Sequence, residues 1–216
     1  MTDRIPLILW TGGADSTLLL FDKLKNGPVD TLYLNSAQGE SKSFKELNAI
    51  EKIIDSEEYQ KLPFKIRDRK VVEMQKGGLP FGVSQDLALT QPLLWITGAL
   101  LVCNRQRHSE VMMGYVMGDD VCGALSNMMN AWDQLEYVTK AGVSGESVRL
   151  VFPLQWTSKE TIYKELRRLN IEKLVWSCEL PAGDGTQCGE CIPCKKASLY
   201  KEPSLEHTGE ISKGLS

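Results

Sequence analysis

Residues 5–25 read IPLILWTGGADSTLLLFDKLK, and this stretch contains a strand, a glycine turn and the start of a helix. Residues 5–10 are a short, nearly unbroken apolar run of the length of a strand buried on both faces, as in a parallel sheet. Thr11-Gly12-Gly13 removes two side chains in succession, so the backbone can take positive φ and lie close to another group. Asp15, Ser16 and Thr17 are helix-start residues, and Leu18, Leu19, Leu20, Phe21 and Leu24 predict a strongly buried helix that Asn26-Gly27-Pro28 stops. A strand turning through glycines onto a helix N-terminus presents free N–H groups and the positive end of a dipole, which is an anion site.

Two common phosphate loops do not fit. G-x-x-x-x-G-K-[ST] requires a lysine, and none lies between Thr11 and Phe21; G-x-G-x-x-G fails because the glycines are adjacent. The plainer alternative is a tight turn with Asp15 as an ordinary N-cap. The string T-G-G-x-D-S-T resembles the S-G-G-x-D-S pyrophosphate loop of the N-type ATP pyrophosphatases, with a threonine hydroxyl at position 11 where that family has serine.

The chain of 216 residues is of a size for one domain with a small appendage. Hydrophobic and charged contents of 42% and 25% are those of an ordinary globular protein. A formal charge of −3 argues against general nucleic-acid binding through a basic face. No run resembles a secretory signal or has membrane length, so a cytoplasmic protein with no membrane partner is expected.

Outward from the first strand, residues 30–34 (DTLYL) form a second apolar run, and strand, helix, strand at this spacing predicts a βαβ unit in a parallel sheet. Residues 41–54 have a helical pattern, with Phe44, Leu47, Ile50 and Ile54 on one face. Residues 64–72 suggest a strand, 77–82 a loop, and 91–104 a buried helix with Pro92 in its first turn and Trp95 and Leu101 in the core. A strand is expected over 110–115. A helix follows over 127–139 with Met128, Trp132, Leu135 and Val138 on one face, then a strand over 148–154 and a helix after Thr157 and Ser158. His108 falls in a polar run that reads as a connector, and residues beyond 200 turn polar.

Cys178-x9-Cys188-x2-Cys191-x2-Cys194 is the second strong signal. Short hops bring thiolates to one centre, and four sulfurs with no open position describe a closed structural Zn2+ site. The competing reading is an iron–sulfur cluster, since the last three cysteines are spaced like part of a bacterial ferredoxin run. Here, however, the fourth cysteine precedes the triplet and no Cys-Pro follows, which favours zinc. Lys159, at a helix start after a strand, either faces the ligand edge and neutralises phosphate or is a solvated surface lysine. Asp119 and Asp120 either hold Mg2+ on ATP oxygens or cap a turn.

Taken together, the T-G-G-A-D-S-T loop, Ser158-Lys159-Glu160, Trp176-Ser177-Cys178 and Cys188-Gly189-x-Cys191-x2-Cys194 are similar in order and spacing to the 7-cyano-7-deazaguanine (preQ0) synthase family of queuosine biosynthesis. The resemblance implies a Rossmann-like, adenine nucleotide alpha hydrolase-like α/β fold: a parallel sheet with helices on both faces over 1–175, a zinc-binding segment over 176–200 and a flexible tail over 201–216. It implies a homodimer, and a ligase that adenylates 7-carboxy-7-deazaguanine with ATP and aminates it with ammonia to the nitrile. Catalysis would fall to Asp15, Ser16 and Lys159. ATP would lie against Leu9, Trp10, Thr11, Gly12, Gly13, Ala14, Asp15, Ser16 and Thr17, and the acid against Gln38 and Asp119. The ligands of Zn2+ would be Cys178, Cys188, Cys191 and Cys194, with Mg2+ accompanying ATP. The family's Y-G-Q-x-H, G-R-N and G-Y-P-D runs are replaced here by residues near Asn35–Gln38, Leu89–Pro92 and Cys122–Leu125, where its substrate pocket is built. A relative coupling another acid or amine, a thiolase using Cys122, and a non-catalytic nucleotide-binding module are the alternatives.

Overall fold

The computed structural model describes residues 4–35, 40–73 and 87–200. Gln38, the loop at 77–82 and the tail at 201–216 lie outside them. Five parallel strands, β1 (Ile5–Leu9), β2 (Val29–Asn35), β3 (Ile66–Glu73), β4 (His108–Met112) and β5 (Arg149–Val151), form one sheet in the order β3-β2-β1-β4-β5. The helices are α1 (Ala14–Leu24), α2 (Glu40–Ile54), the single turn α3 (Glu57–Gln60), α4 (Leu87–Val102), α5 (Leu125–Thr139), α6 (Lys159–Arg168) and α7 (Ile192–Tyr200).

The central strands are apolar on both faces because both faces are covered. Ile8 and Trp10 pack with Leu19, Leu20, Phe21, Ile50, Ile162 and Leu166 on one side. Leu7 and Leu9 pack with Leu32, Leu34, Ile96, Leu100, Val111 and Trp132 on the other. Alternate residues of one strand thus feed opposite layers, the side-chain period of two expected of a strand.

Several expectations are corrected by this packing. Phe44, Leu101 and Val138 are 66%, 76% and 69% exposed rather than core. On α2 the inward positions are Ala49, Ile50 and Ile53, and on α4 they are Ile96, Ala99 and Leu100. On α5 the residue turned inward near Val138 is Glu136, 3% exposed, which accepts from Arg105 Nε at 2.6 Å and Arg105 Nη2 at 2.7 Å. A bidentate pair lets a carboxylate occupy a position that apolar periodicity assigns elsewhere. Pro92 lies inside α4, beyond its first turn. The last strand is only three residues long, because β5 is an edge strand whose ladder on β4 runs from Glu110↔Arg149 to Met112↔Val151.

His108 is not a connector residue. It opens β4, is fully buried, and sits between two partners: the Asn104 N–H donates to Nδ1 at 3.0 Å, and Nε2 lies 2.9 Å from Asp30 Oδ2. With Nδ1 accepting, Nε2 carries the proton and donates to Asp30, so the ring is neutral. Asp30 also accepts from Arg107 Nε at 2.5 Å. Burial pushes His108 below the usual histidine value; Asp30 opposes this, while Arg107 and Lys70 add to it. The folded protein therefore binds fewer protons than the unfolded chain between the lowered value and about 6.5. Stability is complete above about 6.5 and falls as pH drops through that window. Denaturation midpoints at pH 7 and pH 5 should show this loss, and His108→Gln should flatten it; a wild-type slope unchanged in the variant refutes the assignment.

Candidate active site and cysteine centre

Strand order reverses between β1 and β4, and in open α/β sheets such a switch point opens a crevice at the carboxyl ends of the strands. The loops after β1, β4 and β5 meet there. After β1, Gly12 has φ +73°, and a Cβ on it would lie 2.9 Å from Glu46 O, so both its conformation and its surroundings require glycine. Gly13 is the N-cap of α1, and no side chain caps the helix. Capping by Asp15 is thereby ruled out, and the dipole end is left to whatever lies in the crevice.

The hydroxyls close the loop on itself. Thr11 Oγ1 and Ser16 Oγ are 3.3 Å apart, and Ser16 Oγ also accepts from the Thr11 N–H at 3.4 Å. Thr17 is fully buried; its hydroxyl accepts from the Trp10 indole at 3.0 Å and its N–H donates to Gly13 O. Trp10 and Thr17 therefore brace the loop from the core side, as do the buried Leu9 and Ala14. Of this loop, Thr11, Gly13 and Asp15 keep partial exposure, while Ser16 is buried.

Lys159 is the first residue of α6, behind the N-cap Ser158, whose hydroxyl accepts from the Thr161 N–H at 3.2 Å. Its amine donates to Asp15 Oδ2 and lies 3.3 Å from Asp119 Oδ1. The amine is held cationic, raised by the two carboxylates against the cost of its burial. Burial pushes the Asp15 carboxyl up, with Lys159 opposing. Asp15 Oδ1 is buried and has no hydrogen-bond partner among the described residues, and the Tyr115 hydroxyl, whose ring packs on Trp95 and Phe152, is in the same condition. Asp119 has the turn-capping role considered for it, since Oδ2 accepts from the Val116 N–H at 3.0 Å, and its Oδ1 faces Lys159. Asp120 is exposed. Cys122 Sγ donates to Val116 O at 2.8 Å.

Gly114, just after β4, is a site residue that the sequence reading did not single out. A Cβ there would lie 2.9 Å from Ser16 N and 3.0 Å from Ser16 Cα, so β4 rides directly over the first turn of α1. Gly114→Ala must push backbone against backbone, and a 1 Å displacement of a site can cost on the order of 10²-fold in rate. The expected result is a loss of turnover of that order with the secondary structure retained; near-normal turnover would show that this contact is slack.

The four cysteine sulfurs lie within 4.8 Å of one another, with Cys178 and Cys188 Sγ atoms 3.5 Å apart, so the set could hold a metal. Backbone N–H groups of Cys191 and Glu190 hold the Cys188 thiol down to about 6, while burial pushes Cys194 up to about 12. The segment is tied to the glycine loop: the Trp176 N–H donates to Gly12 O at 3.0 Å, and a Cβ on Gly13 would meet Trp176 O. Lys42 of α2 donates to Glu179 at 2.5 Å.

The parallel sheet with a glycine loop at its switch point and a four-cysteine cluster near the C-terminus defines a Rossmann-like α/β protein. A family model described as Queuosine biosynthesis protein QueC matches residues 84–200, and the chain belongs to that family. The 7-cyano-7-deazaguanine synthase of Rhizorhabdus wittichii is 38% identical over 64 residues, 29% of this chain and 28% of that protein. The synthase of Xanthomonas oryzae pv. oryzae is 43% identical over 58 residues, 26% of each. These matches span little more than a quarter of the curated relatives' length. Among solved structures, the U34-tRNA thiolase NcsA from Methanococcus maripaludis with its 4Fe-4S cluster is 13% identical, with a TM-score of 0.49 over 92% of this chain and 66% of that one. No helix among the described residues is long and apolar enough to cross a membrane.

Proposed function

We propose that this protein is an ATP-dependent carbon–nitrogen ligase that adenylates the carboxylate of 7-carboxy-7-deazaguanine and aminates it with ammonia to 7-cyano-7-deazaguanine. The observation that carries the reading is the meeting of Lys159 with Asp15 and Asp119 at the uncapped end of α1, in a chain of the QueC family. In this reading a carboxylate oxygen attacks the α-phosphorus of ATP and the bond to the bridging oxygen breaks. Pyrophosphate then leaves with charge developing where the helix dipole and the Lys159 ammonium stand. Ammonia displaces AMP to give the amide, and a second activation dehydrates the amide to the nitrile. The protein's part is positioning and electrostatics, and no nucleophilic side chain is required.

Mg2+ accompanying ATP would supply charge neutralisation on phosphate oxygens, and the orphaned Asp15 Oδ1 together with Asp119 provides oxygen donors of the type that ion takes. In the cysteine centre, a single tetrahedral Zn2+ with bonds of about 2.3 Å places its sulfurs about 3.8 Å apart. The 3.5 Å Cys178–Cys188 separation supports zinc over an iron–sulfur cluster, whose cysteines bind different irons and stand further apart. Exposed apolar residues on two neighbouring helices, Leu93 and Leu101 of α4 and Tyr137 and Val138 of α5, support a homodimer, which sedimentation would test.

The deciding experiment incubates the protein with ATP, ammonia and 7-carboxy-7-deazaguanine, following pyrophosphate and the mass of the product. Acid-dependent pyrophosphate with a nitrile product is expected. Pyrophosphate with another acid or amine would favour a diverged ligase, a reading supported by Asn35 and Cys122 standing where the family's pocket motifs differ. No acid-dependent pyrophosphate from any acid tried would leave only a nucleotide-binding module.

A further inference from the structure

The edge that carries Lys159 has another cation. Lys196 stands on α7, two residues beyond Cys194, and its amine donates to Gly118 O at 3.2 Å. Gly118 precedes Asp119, whose carboxylate faces Lys159. Lys196 therefore meets the loop after β4 one residue before the carboxylate that faces Lys159, the amine that also holds Asp15. An ammonium has three N–H groups, and among the described residues it donates to a single carbonyl.

Its position is set from both ends of the C-terminal segment. On one side, α7 begins between Cys191 and Cys194, so closing the cysteine set orients its first turn. On the other, Tyr200 stacks on Tyr163 at 6.1 Å and its carbonyl accepts from Arg167 at 2.5 Å, while Ala197 is buried in the core. The segment also holds the glycine loop through the bond from Trp176 to Gly12.

Resting on the ATP reading above, we propose that Lys196 is a second cation for the outer phosphates of the nucleotide, presented to them by the closed four-cysteine centre. The cysteine segment is then more than a stabilising appendage: it supplies a charge to a loop that contains no lysine of its own.

The test measures ATP and AMP affinity by calorimetry on the metal-loaded protein, for wild type, Lys196→Ala, Lys196→Arg, Lys159→Ala and the exposed neighbour Lys195→Ala. Losing one charge-assisted contact predicts roughly tenfold weaker ATP binding in Lys196→Ala and roughly unchanged AMP binding. Lys196→Arg should recover most of the loss, and Lys195→Ala should match wild type. Metal chelation should weaken wild-type ATP binding by more than Lys196→Ala alone does, because the segment also holds the glycine loop. Lys196→Ala binding ATP like wild type, or losing AMP and ATP equally, overturns the proposal. If that happens while Lys159→Ala still loses ATP, the ATP reading survives. Wild type that binds ATP no better than AMP overturns both.

Discussion

Lys159→Ala is expected to lower acid-dependent pyrophosphate release by about 10²–10³-fold, the usual loss when one preorganised stabiliser of transition-state charge is removed. The ammonium is already held between Asp15 and Asp119 and needs little reorganisation to follow charge onto departing pyrophosphate. Folding should survive the change. Asp15, already pushed up by burial, would take a proton rather than face Asp119 as a second bare carboxylate. Lys159→Arg should recover only part of the rate, because a planar fork cannot occupy the place of a point charge shared by two carboxylates. Initial rates at saturating ATP, with melting curves as a control, check this. A variant as fast as wild type would remove Lys159 from the chemistry and reduce the cluster to a surface ion pair.

Removal of metal from the cysteine centre is expected to have the largest effect on structure. Structural zinc sites contribute on the order of 10 kcal/mol to the segments they organise. Residues 178–194 contain little regular structure, two positive-φ glycines (Gly185 and Gly189) and the exposed Leu180 and Ile192. Apart from the four sulfurs, those turns are held by local bonds such as Ala182 N–H to Thr186 O and Thr186 to Asp184, and by Lys42 on Glu179. Chelation or Cys188→Ser should abolish amide-exchange protection across 176–200 and expose the segment to protease, while β1, β2 and β4 stay protected. Cys103→Ser, at a buried thiol outside the set, should leave the segment intact. Protection that persists after the metal is removed would show that packing alone holds the segment.

The two findings are connected through the backbone. Trp176 donates to Gly12 on one side of the cysteine set, and Lys196 donates to Gly118 on the other. Disorder in the segment should therefore reach the glycine loop through the Trp176–Gly12 bond.

Much of this architecture is legible along the chain. The apolar run into Thr11-Gly12-Gly13 and then Leu18–Phe21 specifies β1, its turn and α1, and the cysteine spacing specifies a metal-sized cluster, since both depend on groups a few residues apart. Periodicity also finds the five strands, but it misplaces Phe44, Leu101 and Val138, because it carries no information on which helix face a neighbour covers. It also passes over buried charge: Glu136 and His108 look like solvent residues until Arg105 and Asp30 are brought to them.

The tertiary structure alone decided the partnerships at the crevice. Lys159 reaches Asp15 across 144 residues of chain, Gly114 lies against Ser16, and Lys196 lies against Gly118. Local spacing dictates what a segment becomes, because a helix or a strand is set by its own repeat. Which loops share an edge depends on strand order, here β4 beside β1, and that order follows from burying two faces of one sheet at once.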